Sequence, residues 1–449
     1  MGQASGNPKR LPPKLNTFQA VALALAATSP TASVFLTYGS AWQVAGTGLV
    51  LGYAIGIILV FGIAMTYAEG ASAYPYTAGG DYSIVSQALG PRIGSIYTSL
   101  FLFKGIVIPS VLSLATAAYL QAIFPAIPLT WTAVAVLVVI LIFAFEGIRI
   151  SGWVATAMVI LESVVLLGFM VIAALHIHQS LAVLVHPVMM RAGGHALVGA
   201  TAAGILASVV SALFAYNGWE ASLYFSEETH TNPRGVGQTV MVNIALIAGM
   251  EFLAILLATL ALPDLRHVST TLPLTSVVKD AIGAAGAVAI LAGVVVAQFD
   301  SALASTLTYG RIYYAIARDH QWPPAINGFF LRLNRHDVPY GPFVVLGVIN
   351  LAICLVSQLT SLVIFTGSLL MVLYLGVAVS SFVTHRRDRP AYRMWAWPVP
   401  ALVAIIGILL VFSQESVTSL MVVAGMVALG LLWSLVPKGG KPTGKEVAS

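Results

Sequence analysis

The stretch Phe214-Ala215-Tyr216-Asn217-Gly218-Trp219-Glu220 decides the fold. It lies inside a hydrophobic run long enough to cross a bilayer, yet Asn217, Gly218 and Glu220 make a poor continuous transmembrane helix. They suit an interrupted one, whose freed backbone groups hold a solute. A second interruption, Thr28-Ser29-Pro30-Thr31-Ala32-Ser33, occupies the corresponding place in the first hydrophobic segment. Paired broken helices in the two halves of a membrane chain predict a secondary transporter.

Composition supports the membrane reading. The chain is 59% hydrophobic and 8% charged, against about 25% charged for a soluble domain. A water-soluble fold of this length has no means of hiding so much apolar surface. The one cysteine, Cys354, sits in the apolar run Asn350-Leu351-Ala352-Ile353-Cys354-Leu355 and reads as a small buried hydrophobe. It excludes a disulfide framework. Residues 1–15 carry Lys9, Arg10 and Lys14 among three prolines. They read as a basic cytoplasmic tail, without the small-residue cleavage site of a signal peptide.

A span needs about 20 mostly apolar residues. Scanning on that basis predicts an all-α integral membrane protein with twelve transmembrane helices. They cover about 16–41, 47–69, 94–124, 129–147, 150–176, 198–224, 238–262, 281–315, 340–357, 360–384, 396–413 and 416–436. With both termini in the cytoplasm, 17 of the 21 basic residues fall inside and only Arg191, Arg266 and Lys279 outside; Lys104 lies within a span. The net charge of +5 is therefore an orientation signal, and nucleic acid is excluded as a partner. The expected location is the cytoplasmic (inner) membrane.

If the broken helices head two five-helix units, one covers 16–176 and the other 198–384. Each unit has an odd number of spans, so the two sit in opposite senses across the bilayer. That is a 5+5 inverted repeat, with the site near the midplane where the two breaks meet. Helices 11 and 12, within 385–436, lie outside the repeat, and 437–449 form a cytoplasmic C-terminal tail.

Three separated stretches carry a family resemblance. The loop after span two reads Tyr67-Ala68-Glu69, Tyr74-Pro75, Gly79-Gly80-Asp81-Tyr82 and Ala88-Leu89-Gly90-Pro91-Arg92-Ile93-Gly94. Span six and its exit read Phe214 to Glu220, then Glu227-Glu228-Thr229 and Asn232-Pro233-Arg234. The end of span eight reads Arg311-Ile312-Tyr313-Tyr314-Ala315-Ile316-Ala317-Arg318-Asp319, followed by Pro323-Pro324 and Val338-Pro339. In this order, over about residues 15–390, they resemble the amino acid–polyamine–organocation (APC) superfamily. The resemblance implies the LeuT-type inverted-repeat fold and the carriage of amino acids or organic amines.

The motifs also have a local physical reading. Gly79-Gly80 permits backbone conformations that other residues resist, as a tight cytoplasmic turn into span three requires. Glu69, Glu227 and Glu228 lie at the same membrane face as Arg92, Arg234, Arg311 and Arg318. They either lock a cytoplasmic gate through ion pairs or are solvated loop charges worth under about 1 kcal/mol per pair.

A broken helix leaves N–H groups open at the start of its second half and C=O groups open at the end of its first. The former suit a carboxylate and the latter an ammonium, so a zwitterion fits. Relatives carry a glycine-rich break in span one, where this chain has Thr28 to Ser33. Pro30 breaks the helix because it lacks an N–H and crowds the preceding turn. It also removes a donor, which hydroxyls of Thr28, Ser29, Thr31 and Ser33 replace, with Ala32 between them. By resemblance Phe214 closes over substrate, and span three lines the site at Phe101 and Lys104. Tyr216 and Trp219 offer further aromatic faces, which attract an ammonium by about 1–2 kcal/mol, or else pack the bundle.

Lys104, Glu162, Glu220, Glu251 and Asp300 lie deep within spans, and each is a functional candidate by default. Glu162 sits about 18 Å along span five, where similar transporters can hold a lysine in place of sodium. A buried carboxylate here loads and releases a proton, which makes Glu162 the first proton-coupling candidate and Glu220 the second. The alternative for Glu162 is a static hydrogen bond to the broken backbone. Lys104 either binds a substrate carboxylate or pairs with Glu162, Glu220 or Asp300. Asp300 with Ser305 and Thr306 forms a possible cation site, or the hydroxyls simply pack helices. Glu251 has no evident partner in the sequence. His176, His178, His186 and His195 share an external loop at spacing too loose for a metal site, and no cofactor motif appears.

The leading expectation is a proton-coupled or exchanging carrier for an amino acid, working by alternating access. A polyamine- or ethanolamine-like amine is the second substrate class, with sodium the less favoured coupling ion. A channel needs a continuous polar pore, which clustered aromatics oppose. A membrane sensor, or the light subunit of a two-chain transporter, is the third class. The loop Phe124-Pro125-Ala126-Ile127-Pro128-Leu129 lacks the external cysteine of a disulfide-linked partnership. No nucleotide loop or nucleophile–base pair points to an enzyme.

Overall fold

The computed structural model describes residues 21, 24–25, 28–75, 80–146, 152–190, 196–224, 231–318, 322–334, 338–415 and 417–435. Both predicted tails lie outside these residues, as do Glu227 and Glu228. The helices are α1 (Pro30–Ala45), α2 (Leu49–Ala73), α3 (Gly80–Leu89), α4 (Pro91–Ile123), α5 (Leu129–Glu146), α6 (Gly152–Leu175), α7 (Ala202–Ala215) and α8 (Ala221–Tyr224). They continue as α9 (Pro233–Leu260), α10 (Pro273–Arg318, kinked at Gly283, whose φ is 71°), α11 (Tyr340–Val356), α12 (Leu359–Arg387), α13 (Val399–Phe412) and α14 (Val417–Leu435). A 3-10 turn at Gly46–Gly48, short helices at Ala182–Val185 and Pro324–Phe330, and a hairpin pairing Val188–Met190 with Leu197–Gly199 complete the described elements. Six stretches are long and apolar enough to cross a membrane, and the remaining apolar helices are shorter.

The outer surface is apolar where a soluble protein would be polar. Ile142, Ile160, Val164, Val171, Val348 and Leu432 are each more than half exposed. On α6 the neighbours of Glu162 face outward while Glu162 itself is 5% exposed. A helix with apolar residues outside and an acid inside is oriented by lipid, not by water. The chain is a multi-pass membrane protein.

Two helix groups form the body. α1, α2, α7 and α9 pack on one another, and α4, α5, α10 and α11 form the second group. α6 lies against both groups through α10, α9 and α1, and α12 does so through α2, α4 and α7. α13 packs on α2, and α14 on α4.

The second group carries its own backbone repair. Pro109 lies inside α4, and its missing N–H frees the carbonyl of Gly105. Asn350 of α11 donates to that carbonyl at 3.2 Å and accepts from the amide of Ser110 at 3.1 Å. A kink that would leave buried polar groups open is thus closed by one side chain from the neighbouring helix.

Candidate functional site

Both expected interruptions are present. The first falls at Ser29, whose φ of 52° and ψ of 75° place it in the left-handed region. Its amide still bonds Leu25, ending the preceding turn, while the amide of Ser33 bonds the Ser29 carbonyl and opens α1. Pro30 occupies the first turn of α1, where a missing N–H costs nothing. The backbone strain sits on Ser29 instead. The second interruption runs from Tyr216 to Glu220, between α7 and α8. Gly218 has a φ of 115°, which side-chain-bearing residues resist.

The two breaks touch. A Cβ on Gly218 would lie 2.6 Å from Thr28 Oγ1 and 2.8 Å from Thr28 Cα. Only glycine permits this approach. Around it lies a cavity of about 70 Å³, lined by Thr28 and Ser33 from the first break, Phe214, Asn217 and Gly218 from the second, and Lys104, Glu220, Ser305 and Tyr309. About 10–15 Å³ of such space holds one water, so the cavity is that of a small solute.

Lys104 and Glu220 form its charged floor. Lys104 Nζ donates to Glu220 Oε1 at 2.9 Å, with both side chains 2% exposed. Glu220 Oε2 accepts from the amide of Gly218 at 2.9 Å, so one carboxylate holds both the ammonium and the break. Of the partners open to Lys104 in the sequence, the structure selects Glu220. Its ammonium also lies 5.3 Å from the Phe101 ring centroid. Phe101 is 1% exposed and packs beside Tyr309 behind the cavity wall. It does not line the cavity.

Several expected contributors face elsewhere. Tyr216 packs its ring edge-on to Tyr53 at 5.8 Å and donates to the Tyr53 carbonyl. Trp219 is wedged between Tyr67 and Tyr374. Both rings pack against α2, and Trp219 also against α12, because the unwound turn does not keep the helical phase. Pro30, Thr31 and Ala32 also leave the cavity wall. Ala32 presents its carbonyl to Gln298 of α10 at 2.8 Å.

Glu162 stands behind the first break. Its Oε1 accepts from Ser29 Oγ at 2.5 Å and from the Thr31 amide at 3.2 Å, and its carbonyl accepts from Thr31 Oγ1 at 2.8 Å. This is the hydrogen-bonded arrangement to the broken backbone. Glu251, fully buried on α9, neighbours Ser33 and Glu162. Asp300 is separated from Ser305 and Thr306 by five and six positions, which on a helix of 3.6 residues per turn places them on different faces. Both hydroxyls donate to the Ala302 carbonyl. The structure does not bring these three together as a cation site. His178 pairs with Asp280 at 2.8 Å, and no metal-holding group of three ligands occurs among the described residues.

Of the expected gate, Glu227, Glu228 and the side chain of Arg318 lie outside the described residues. Arg92, Arg234 and Arg311 are exposed, and none forms an ion pair with Glu69. Glu69, fully buried, accepts from His385 Nδ1 at 2.6 Å and from the Met394 amide at 3.4 Å. His385 in turn stacks on Trp397 at 4.5 Å. Nearby, Asp388 bonds Tyr74 at 2.5 Å and Arg387 at 2.9 Å. Burial works against its charge, but these donors hold the carboxyl below the usual range. The carboxylate at the end of α2 is therefore clasped to the α12–α13 connection. A buried acid takes the partner that packing places beside it, not the arginines that share its membrane face.

Sequence reasoning missed two contributors, Asp81 and Tyr309. Asp81 opens α3 and is fully buried near Lys104, Glu220 and Tyr67. Burial pushes its carboxyl up to about 6, with Lys104 opposing and Glu220 adding to the rise. One ammonium between two carboxylates neutralises only one of them. The Gly79-Gly80-Asp81-Tyr82 motif held the signal for Asp81, but reading it as a loop turn concealed its burial.

Known proteins show the same relationship over nearly the whole chain. The sequence matches the profile described as amino acid permease over residues 15–439. An uncharacterised transporter of Mycobacterium tuberculosis is 26% identical over 430 residues, covering 94% of this chain and 90% of the relative. An uncharacterised transporter of Mycobacterium bovis matches to the same extent. Human cationic amino acid transporter 4 is 24% identical over 381 residues, covering 78% of this chain and 56% of that protein. The resemblance drawn from the loop motifs is confirmed, and the molecule is a transporter and not an enzyme. The chain belongs to the amino acid permease family.

Proposed function

We propose that this chain moves an amino acid across the cytoplasmic membrane by alternating access, with both termini in the cytoplasm and proton coupling at Glu162. The observation that carries the substrate class is the buried Lys104–Glu220 pair in the wall of the cavity between the breaks. A zwitterion can open that pair and satisfy both members, its carboxylate on Lys104 and its ammonium on Glu220. The buried charge stays balanced throughout. A simple amine would take Glu220 and strand Lys104 in a medium of low dielectric, at a cost of several kcal/mol. The pair thus favours amino acids over amines.

The packing supports the twelve-span inverted repeat. α1 and α2 group with α7 and α9, and α4 and α5 group with α10 and α11. Corresponding members of the two proposed units pack together, while the fifth of each, α6 and α12, bridges the groups. Such a body can rock one group against the other around a fixed site. Glu162 suits coupling because its oxygen holds both Ser29 and Thr31; protonation weakens an acceptor of two hydrogen bonds and alters the break.

The test is uptake of labelled amino acids and amines into proteoliposomes, with and without an imposed pH gradient. Gradient-driven accumulation of an amino acid is expected in the wild type. Glu162→Gln should abolish the pH dependence while leaving exchange. Accumulation indifferent to the gradient removes the coupling proposal, and uptake of putrescine alone removes the substrate assignment.

A further inference from the structure

A second and larger cavity, of about 490 Å³, lies beyond the central one. It is bounded by Ser40 of α1, Ser211 of α7, Ser361 and Phe365 of α12, and Glu415 and Thr418 at the α13–α14 connection. Ser40 follows Thr37 by three positions, about 4.5 Å along α1, and Thr37 lines the central cavity. Ser40 Oγ lies 2.9 Å from Ser211 Oγ and donates to the Thr37 carbonyl at 2.8 Å. Ser211 is likewise one turn before Phe214, which lines the central cavity. The two cavities therefore lie about one helical turn apart along α1 and α7, with the Ser40–Ser211 contact at the wall of the larger one.

The larger chamber has one charged group in its lining, Glu415. Its carboxylate is half-buried beside the hydroxyls of Ser419 and Ser368, the latter donating to the Ile364 carbonyl. A carboxylate offers about four lone-pair sites, so hydroxyl neighbours leave it acceptor capacity. No cation neighbours it in the lining. A half-buried anion at the edge of a chamber open to solutes attracts a cation with hydrogen-bond donors.

We propose that this chamber is an outer waiting site for a primary ammonium group, with Glu415 as its anion, on the α13–α14 side of the central cavity. The inference rests on the transport reading above and adds a station to its path. An amino acid or amine docks its ammonium on Glu415 and then passes the Ser40–Ser211 contact to reach Glu220. A phosphatidylethanolamine headgroup carries the same ammonium, and the experiment separates the two sources.

Thr418 is exposed on the chamber wall, and Cys354 is buried, so Thr418→Cys introduces a single accessible thiol. Its labelling by a membrane-impermeant maleimide is followed in proteoliposomes of phosphatidylcholine alone. L-lysine and putrescine should slow labelling at least threefold, while hexanoate, which lacks the ammonium, should not. Adding Glu415→Gln should abolish protection, and Glu415→Asp should retain it. In uptake, Glu415→Gln should raise KM about tenfold with kcat unchanged. Labelling indifferent to ammonium solutes, or protection that survives Glu415→Gln, overturns the proposal. So does protection that appears only when phosphatidylethanolamine is added. Protection in a protein that accumulates no amino acid would leave the chamber standing and refute the transport reading; accumulation without protection would do the reverse.

Discussion

Replacing Lys104 by methionine tests the charged floor most directly. The substitution keeps length and apolar stem but removes the ammonium 2.9 Å from Glu220 Oε1, in a site where both side chains are 2% exposed. Breaking a buried pair by removing one partner costs about 3–5 kcal/mol, because the remaining charge is left uncompensated. Glu220 keeps the Gly218 amide on its other oxygen, which places the expected cost near the lower end, about 3 kcal/mol. Unfolding midpoints of a chain this size move by on the order of 1–2 °C per kcal/mol, extending the size trend of smaller domains. Lys104→Met should therefore lower the midpoint in detergent by about 3–6 °C. Adding Glu220→Gln removes the stranded charge while preserving an acceptor for Gly218. The double variant should recover to within about 1 kcal/mol of wild type, a coupling of about 2 kcal/mol or more in the cycle. It should nonetheless fail to bind a zwitterion in equilibrium dialysis. A double variant that melts at the sum of the two single losses would refute the ion-pair argument. One that folds and still binds amino acids would refute the site.

Three other perturbations follow from the geometry. Gly218→Ala forces a side chain onto a φ of 115° and against Thr28; a loss of about 1–3 kcal/mol and of uptake is expected, measured by thermal unfolding and transport. His385→Ala strips the buried Glu69 of its side-chain partner, leaving the Met394 amide, and loosens the segment that holds Arg386, Arg387, Arg389 and Arg393, so trypsin should cut there several-fold faster than in wild type. Asp81 is held near 6 against an ordinary 3.8, so its ionisation is disfavoured in the fold. Its contribution is fully present below about pH 4 and is lost as pH rises through 6, by about 3 kcal/mol at about 1.4 kcal/mol per unit. Asp81→Asn should then raise the midpoint at pH 8 and leave it unchanged at pH 4.

The breaks were legible in the sequence because their causes are local. Pro30 cannot donate, and Gly218 alone tolerates its φ, so residue type and position sufficed. The apolar helices were legible for the same reason, since length and hydropathy set a span. Pairings were not. Lys104 and Glu220 are 116 positions apart, and the choice of Glu220 over Glu162 or Asp300 is made by helix packing that no periodicity records. The directions of Tyr216 and Trp219 were hidden by the break itself. Helical phase predicts a facing side only while the helix continues, and the unwound turn resets it between Ala215 and Ala221. Glu69 failed by a related route: charges sharing a membrane face looked like partners, but a fully buried carboxylate pairs with what packs against it, here His385.

A conformational change needs a ligand that interacts differently with two states, and in the proposed cycle the two carboxylates of the breaks would supply that difference. Glu220 spends one oxygen on Lys104 and the other on the Gly218 amide. Glu162 spends one on Ser29 and Thr31 together. Because Gly218 lies against Thr28, a shift at either break is a steric event at the other. A zwitterion that draws Lys104 away from Glu220 changes the charge around the acceptor holding Gly218. A proton on Glu162 changes the acceptor holding Ser29, the residue that stores the backbone strain of the first break. In the proposed cycle, solute and proton would thus act on opposite ends of one contact, which would couple their effects without any direct meeting between them.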